Sequence, residues 1–431
     1  KRLAICISAH QPHTPRCPLF LENARSRLFQ IFALIFILWS TTEVFSIRRR
    51  LLSADTAPRA ATRHRVRVYV ASIHWNDAIL HLAKEVGPEN MFLSVFESGS
   101  WDGTKSALRD LDRALDALGV ARNITMSEKT HHDEVSALPA EHGWVDTPQG
   151  RKELRRIPYL AGLRNLSLQP LYALLAKGIA FDWIVFLNDV VFTSQDVLRL
   201  LDTKQGEYAA ACSLDFSKPP SFYDTFALRD SYGQEHVMQT WPYFRSSASR
   251  NAMTDMNPVP VASCWNGIVS MPASPFYADP PLEFRGVSDS LALAHVEGSE
   301  CCLIHADNPL TKEKGVYLNP QVRVGYNPTA YSPVHPANRW VPTWQIFLSL
   351  WENRIRRVVT STSLKEWVIR RRVQNWEAQD EGNYEPGQFC LINEMQVLRD
   401  NGYIFSLRNS IGKVLRPPWS PNPSHKTIVV L

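Results

Sequence analysis

Apolar and polar positions alternate along this chain in blocks whose period changes. From Leu28 to Trp39 the run LFQIFALIFILW is apolar except for Gln30, and Ser40 to Ile47 extend it to about 20 residues, enough to span a bilayer. Glu43 would then sit near the far headgroups. Arg16, Arg25 and Arg27 precede the run and Arg48, Arg49 and Arg50 follow it, so the distribution of positive charge does not orient it. A single transmembrane signal-anchor over 28–47 is the favoured reading, behind a cytoplasmic segment 1–27. A cleaved signal peptide is the competitor, but no small-x-small cleavage site is evident. Residues 48–65, RRRLLSADTAPRAATRHR, show little periodicity and read as a basic linker. The globular part is expected to begin near Val66.

Beyond it, short apolar runs alternate with helical spacing. Val68–Ile73 and Met91–Phe96 are strand-like, and each ends in polar residues: His74, Trp75 and Asn76 after the first, Glu97-Ser98-Gly99-Ser100 after the second. A helix is expected from Asp77 to Val86, and Ala107, Leu108, Leu111, Leu115 and Leu118 mark another. Leu154–Leu175 is Leu-rich, Phe181–Leu187 (FDWIVFL) is a buried strand, and Thr193-Ser194-Gln195-Asp196 reads as a helix start with a capping box. This order predicts an α/β domain over 66–334 with a mainly parallel sheet flanked by helices. Ligands of such sheets bind beyond the carboxyl ends of the strands. Residues 205–285 are rich in Pro, Asp and aromatics and read as large loops carrying two or three strands. Val261–Met271 is the clearest of these, broken at Trp265-Asn266-Gly267. From Trp340 the pattern becomes helical again. Trp344, Phe347, Leu348, Trp351, Ile355 and Val358 share one face, so 335–431 reads as a helical extension packed on the domain.

Composition changes this picture little. The 431 residues are 45% hydrophobic and 21% charged, which excludes wholesale disorder and leaves ample material for a core. A net charge of +5 is too weak to argue for a nucleic-acid partner. Thirteen Trp exceed the usual share, and indole faces pack well on sugar C–H groups, though ordinary core packing is the favoured account of them. Of seven Cys, five lie beyond residue 200, so at least one of those five stays free or pairs between chains. In an oxidising compartment Cys301 and Cys302 each seek a distant partner. No GxSxG or HExxH is present to support a hydrolase.

The candidate chemistry lies at the ends of the apolar runs. Phe186-Leu187-Asn188-Asp189 is a strand ending in an amide and a carboxylate. A rigidly held carboxylate there suits a divalent cation with a nucleoside diphosphate. Alone this signal is weak, since many strands end in such turns. Arg164 precedes it on a helix, and its forked donors suit phosphates. Glu97 and Asp102 flank a Gly-containing turn able to meet a ribose or base.

Taken in order, FESGSWDGT (96–104), RRIPYLAGLRN (155–165) and FLNDVVF (186–192) resemble the GT-A glycosyltransferases. With LDFSKPPSFYDTFALRD (214–230), CWNGIVSM (264–271) and SECCLIHADNP (299–309), the stretch from Val68 to Tyr326 resembles the fungal capsule-associated mannosyltransferases. These are the cryptococcal α-1,3-mannosyltransferase-like proteins, glycosyltransferase family 69. The resemblance implies a GT-A-like (Rossmann-like) fold and a type II Golgi membrane protein with a luminal catalytic domain. It further implies an enzyme that uses GDP-mannose and Mn²⁺ (or Mg²⁺) to add an α-linked mannose to a mannoside with retention. The departure is in the metal motif, where Asn188-Asp189-Val190 replaces Asp-x-Asp.

On this reading Asp189 and His305 are the expected metal ligands, and Glu97, Asp102, Arg164 and Asn188 hold the donor. An acid is needed beside the anomeric carbon, and Glu300 and Asp307 rank ahead of Asp289 and Asp215 because they neighbour His305. Trp265, Asn266, Asp215, Asp224, Arg229 and Asp230 are expected to meet sugar hydroxyls, with Tyr223 beside them. Sequons occur at Asn123 and Asn165, and Asn165 is expected to be buried and unmodified. The single carboxylate at 188–190 motivates an alternative: a non-catalytic glycan-binding or scaffold protein on a degenerate transferase fold.

Overall fold

The computed structural model describes residues 19–56, 66–72, 78–100, 102–147, 150–335, 340–398 and 405–407, with the side chains of 19–26, 28 and 405–407 left aside. Cys6, Cys17, the polar run His74–Asn76, Trp101, half of the expected linker and most of the C-terminal tail beyond 398 lie outside those residues.

Helix α1 (Leu19–Asp55) opens the described chain. Its stretch Phe29–Asp55 is long and apolar enough to cross a membrane, and Phe29, Phe32 and Leu38 are exposed along it. The helix continues past the apolar block. Residues 48–55, expected to begin a linker, are helical, and Ile47 and Leu51 are buried in the core. Arg48 donates to the Val341 carbonyl, Arg50 pairs with Asp255, and Asp55 accepts from the buried Arg323 at 2.7 Å. A sequence without apolar periodicity still docks here because partner charges elsewhere in the chain meet its own.

The domain then alternates as the apolar blocks predict: β1 (Val68–Ser72), α2 (Ala78–Val86), β2 (Met91–Glu97), α3 (Thr104–Ala117) and β3 (Ala121–Met126). A short helix α4 (His131–Val135) and the hairpin β4 (Trp144–Asp146) and β5 (Lys152–Leu154) lead into α5 (Arg156–Leu175). Next come β6 (Trp183–Leu187) and α6 (Ser194–Leu201), whose Thr193–Asp196 capping box forms as expected. The region 205–285 holds more strands than the two or three expected: β7 (Ala210–Lys218), β8 (Ser221–Phe222), β9 (Arg229–Asp230), then α7 (Ser247–Asp255), β10 (Val259–Ser263) and β11 (Ile268–Pro272). The expected strand at 261–271 is two strands, β10 and β11, with different neighbours. The chain closes with α8 (Asp289–Leu293), β12 (Glu297–Gly298), α9 (Glu300–Asp307), α10 (Thr311–Lys314), β13 (Val316–Gly325) and α11 (Pro328–Val334). Helices α12 (Thr343–Val359) and α13 (Ser363–Glu377) and short strands β14 (Leu391–Ile392), β15 (Met395–Val397) and β16 (Phe405–Leu407) follow.

Among the described residues, ten strands form one sheet ordered β3-β2-β1-β6-β11-β7-β13-β10-β9, with β8 beside β7. Strands β1, β2, β3 and β6 pair in parallel, as do β7 and β13, while β11 runs antiparallel to both β6 and β7. Strands β6 and β7 therefore point the same way. The sheet is mixed and mainly parallel, with helices against it, and the α/β fold class expected from the sequence is observed. Tyr69 and Ser94 of adjacent strands both donate to the Ser167 carbonyl, which fastens α5 across the sheet face.

Past α11 the chain is not helical throughout. Strand β14 pairs with β12, and the Cys302–Cys390 disulfide ties it to α9. Cys212 and Cys264 form a second disulfide and Cys301 is buried and free among the described residues, where only one of the adjacent cysteines finds a distant partner. The apolar face expected on α12 is not the one that enters the core. Ile346, Ser349, Leu350 and Asn353 are buried, whereas Trp344, Leu348, Ile355 and Val358 are exposed. Trp351 packs instead on Phe36 and Trp39 of α1.

Candidate active site

Because β1, β2, β6, β7 and β13 point one way, their carboxyl ends share one edge of the sheet. The chain order leaves β1 toward β2 and β3 on one side and toward β6 on the other, so a crevice opens between β1 and β6. Asn188 and Asp189 follow β6 at this crevice. The Asn188 N–H donates to the Gly267 carbonyl at 2.9 Å, which fixes the turn, and the Asp189 side chain is exposed. Gly267 holds φ +72°, and a Cβ there would overlap the Val324 side chain, so only glycine lets these strand ends approach.

Asp215 stands within β7 and is fully buried. It accepts from Tyr326 Oη at 2.9 Å, Asn266 Nδ2 at 3.1 Å and the Asp224 N–H at 3.3 Å. Asn266 also donates to the Asp224 carbonyl at 2.6 Å. Burial pushes the Asp215 carboxyl up to about 7, and the Asp224 charge adds to it. Asp224 is half-buried and rises to about 6, mainly from burial with Glu300 adding, while the Phe226 N–H, Arg156 and Arg164 oppose the rise. Tyr223 and Tyr326 pack at a tilt of 57° with centroids 4.5 Å apart, and both feel the charges of Asp189, Asp215 and Asp224.

Glu300 begins α9, where the helix dipole favours its charge. Its carboxylate accepts from Arg164 Nε at 3.1 Å and from Cys301 Sγ. Burial alone would raise its pKa, but Arg164 and Arg156 outweigh burial and hold it below the ordinary value. The Arg164 guanidinium also lies 4.7 Å from the Trp265 ring, so part of Arg164, expected on phosphates, is committed to protein. Glu97 ends β2 fully buried. One oxygen accepts from Ser100 and the other has no partner among the described residues. Asp102 accepts from the Thr104 N–H at 2.9 Å at the start of α3.

The fold thus gathers Asp189, Asp215, Asp224, Glu300, Arg164 and Asn266 around the strand ends. Arg156 and Tyr326 join them without having been singled out from the sequence. Arg156 sits inside the RRIPY stretch, and Tyr326 follows the apolar strand β13, which was the available signal for each.

Other expected residues serve the scaffold. His305 is fully buried, its Nε2 lies 2.7 Å from the Cys264 carbonyl, and burial lowers its pKa to about 4. This is a core histidine rather than a ligand held beside Asp189. Asp307 forms a two-pronged pair with Arg285, which also grips Glu385. Asp289 pairs at 2.6 Å with the buried Arg155, which also holds Glu297. Arg229 spends its donors on the carbonyls of Phe226, Leu228, Phe389 and Cys390. Asp230 accepts the N–H groups of Tyr232, Gln234 and Ser246. Both side chains thereby brace the backbone around them. Trp265 is buried between Phe186 and Phe284 and presents no open face to a sugar. Asn165 is half-buried with both amide atoms bonded to the Phe284 backbone at 2.9 Å, bonds that the attachment of a glycan would have to disturb.

Among the described residues no group of three or more His, Cys, Asp and Glu side chains is arranged to hold a metal ion. The donor set at the strand end fits a different arrangement. Asp189 is an exposed, rigidly placed carboxylate, suited to a hydrated divalent cation that takes its other oxygens from a diphosphate and water.

Comparison with known proteins follows the same lines. The family described as cryptococcal mannosyltransferase 1 matches residues 60–307, more than half of the chain. An α-1,3-mannosyltransferase of Cryptococcus neoformans is 25% identical over 275 residues, 58% of this chain and 53% of that protein. The chain therefore matches about half the length of that curated relative. A mannosyltransferase of Pyrobaculum calidifontis, solved with GDP-mannose and Mn²⁺, aligns over 83% of this chain and 77% of its own at 13% identity. Its TM-score of 0.33 is too low to carry an argument. The match over residues 60–307 settles the family: the chain belongs to the cryptococcal mannosyltransferase 1 family, a family of glycosyltransferases.

Proposed function

We propose that this protein transfers mannose from GDP-mannose to a mannoside acceptor, forming an α-1,3 linkage with retention of configuration. The observation that carries the reading is the gathering of four carboxylates and a buried arginine at the switch point of the sheet, in a chain of this family. The relative's name supports the sugar and the linkage. The donor nucleotide enters the β1/β6 crevice, with its base and ribose toward Glu97 and Asp102. Asp189 would hold a divalent cation, Mn²⁺ or Mg²⁺, whose positive charge would offset that of the diphosphate. Arg164 and Arg156 add positive charge on the opposite flank.

Reaction breaks the bond from C1 to the phosphate oxygen, and GDP departs with the electron pair. The acceptor oxygen bonds to C1 on the same face, and its proton passes to the departing phosphate. Asp224 and Glu300 face the positive charge that develops at C1. Glu300 is kept ionised by its arginines, and Asp224 is more accessible than Asp215. Asp307 is held away in its pair with Arg285. Helix α1 anchors the protein in a secretory-pathway membrane, the Golgi, with the catalytic domain luminal. Two disulfides suit that oxidising compartment.

The test is nucleotide release by the full chain in detergent. It is offered GDP-mannose or UDP-sugars, with Mn²⁺ or EDTA, with and without mannobiose. GDP release that needs both cation and mannoside is the expected result. Release from a UDP-sugar overturns the donor. Mannobiose binding with no donor binding or turnover overturns the transferase and leaves a glycan-binding protein.

A further inference from the structure

Thr225 and Phe226, the residues directly after Asp224, line the near end of a groove of about 1130 Å³. One wall is the loop from Thr225 to His236, the second is α13, and the third is the segment from Gln388 to Glu394. Strand β9, which supplies Arg229 to the groove, is the outermost strand on that side of the sheet, whereas Glu97 belongs to β2 near the other end. The groove therefore lies toward the β9 edge of the sheet and the crevice assigned to the nucleotide toward the β2 side.

The walls are braced. Arg229 is buried and bridges the loop to the third wall through the Phe389 and Cys390 carbonyls. The Cys302–Cys390 disulfide joins that wall to α9, the helix that presents Glu300. A binding channel needs such preformed walls, since a channel ordered only on binding gives up affinity to entropy. The lining is amphipathic. Phe226 and Phe389 offer apolar ring surface, and Gln234 and Asn393 offer planar amides. Charges of both signs are present, with Lys365 set 3.8 Å from Glu235 across the mouth. Balanced charge argues against a polyanion or a second nucleotide. Aromatic faces with planar amides match the C–H faces and paired hydroxyls of neutral sugars. The volume exceeds the roughly 300–1,000 Å³ of ordinary small-ligand pockets, which points to more than one sugar ring.

We infer that this groove is the acceptor channel and takes a neutral oligosaccharide of several sugars, its non-reducing end at Asp224 and the preceding sugars along α13. The inference rests on the transferase reading, and its test can fail separately. Mannose through mannopentaose are titrated calorimetrically against the full chain in detergent, with GDP-mannose binding measured alongside. Affinity should rise with length, by roughly tenfold from mannobiose to mannotetraose. Gln234→Ala and the groove-filling Ile369→Trp should each weaken mannotetraose by roughly tenfold and leave GDP-mannose binding unchanged. Thermal melting checks that both fold, and His236→Ala replaces Ile369→Trp if that variant does not. Binding independent of length, or variants that bind mannotetraose like the parent, would overturn the channel. If the length dependence and variant losses appear while GDP-mannose never binds, the channel stands and the transferase reading falls.

Discussion

At the residue scale the site is an arrangement of carboxylates kept at different protonation by their surroundings. Glu300 stays ionised against burial because two arginines face it. Asp215 is pushed up to about 7 by burial and the Asp224 charge, and Asp224 to about 6 by burial and the Glu300 charge. If ionised Asp224 is needed at the anomeric centre, turnover should rise with pH through about 6–7, read from a kcat profile. Stability runs the other way for these groups. Between the ordinary 3.8 and the raised value the folded chain binds more protons than the unfolded one, so these carboxylates withdraw stability as pH rises. Asp215→Asn should therefore raise the melting temperature at neutral pH by several degrees while cutting turnover by about a hundredfold or more. A melting temperature that falls would contradict this account. His305 acts in the opposite sense. Its pKa is depressed to about 4 from 6.5, so stability is full above the ordinary value and is lost as pH falls toward 4. The acids at 300 and 307 separate cleanly. Glu300→Gln should lower kcat with donor binding retained. Asp307→Asn should leave kcat near the parent value and cost about 1 kcal/mol of stability in denaturant titration, since its pair with Arg285 is partly solvated.

At the element scale the alternating blocks were legible and the strands of the second half were not. Strands β1, β2 and β6 are continuous apolar runs because both faces are covered, and their helices show clean spacing, so the N-terminal half could be read off directly. Strand β7 carries Ser213 and Asp215 inward, each satisfied by hydrogen bonds from distant residues, so its polar positions disguised it as loop. Strands β8, β9, β12 and β14 are two residues each, too short for any periodicity to register. Helix α12 misled for another reason. Its apolar residues cover more than one face, and the choice of inward face was made by α1 and the sheet domain. The third wall of the groove depends on a covalent brace. Removing it with Cys390→Ser should cost about 2–4 kcal/mol and weaken the longer acceptors more than mannose. Mild reduction of the parent protein, followed by the same binding series, provides the check.

At the scale of the whole molecule, α1 and the domain are one body joined by Arg50–Asp255, Arg323–Asp55 and Arg354–Glu43. A luminal domain predicts a pattern of modification that the structure sharpens. Asn123 is exposed on the outer strand β3, whereas Asn165 has both amide atoms bonded to Phe284. Glycopeptide mapping of the protein from a secretory host should therefore find a glycan at Asn123 and none at Asn165. A glycan at Asn165 would take α5, and Arg164 with it, out of the site.

The sequence by itself determined the apolar anchor-length run, the α/β alternation, the family, and the placement of Asp189, Glu97 and Arg164 near strand ends and their helices. These are properties of neighbouring residues, carried by period and spacing. It also named Asp215, Asp224, Asn266 and Glu300 among the site residues. Only the tertiary structure decided which candidates meet. Asp215, Asp224, Asn266 and Tyr326 come together across as many as 111 positions of chain, while His305, Asp307, Asp289 and Arg229 were drawn into core bonds. The physical reason is that a buried charge or imidazole must find a partner somewhere in three dimensions. The nearest suitable partner in space is invisible to local pattern, so the same Asp or Arg can serve chemistry or scaffold.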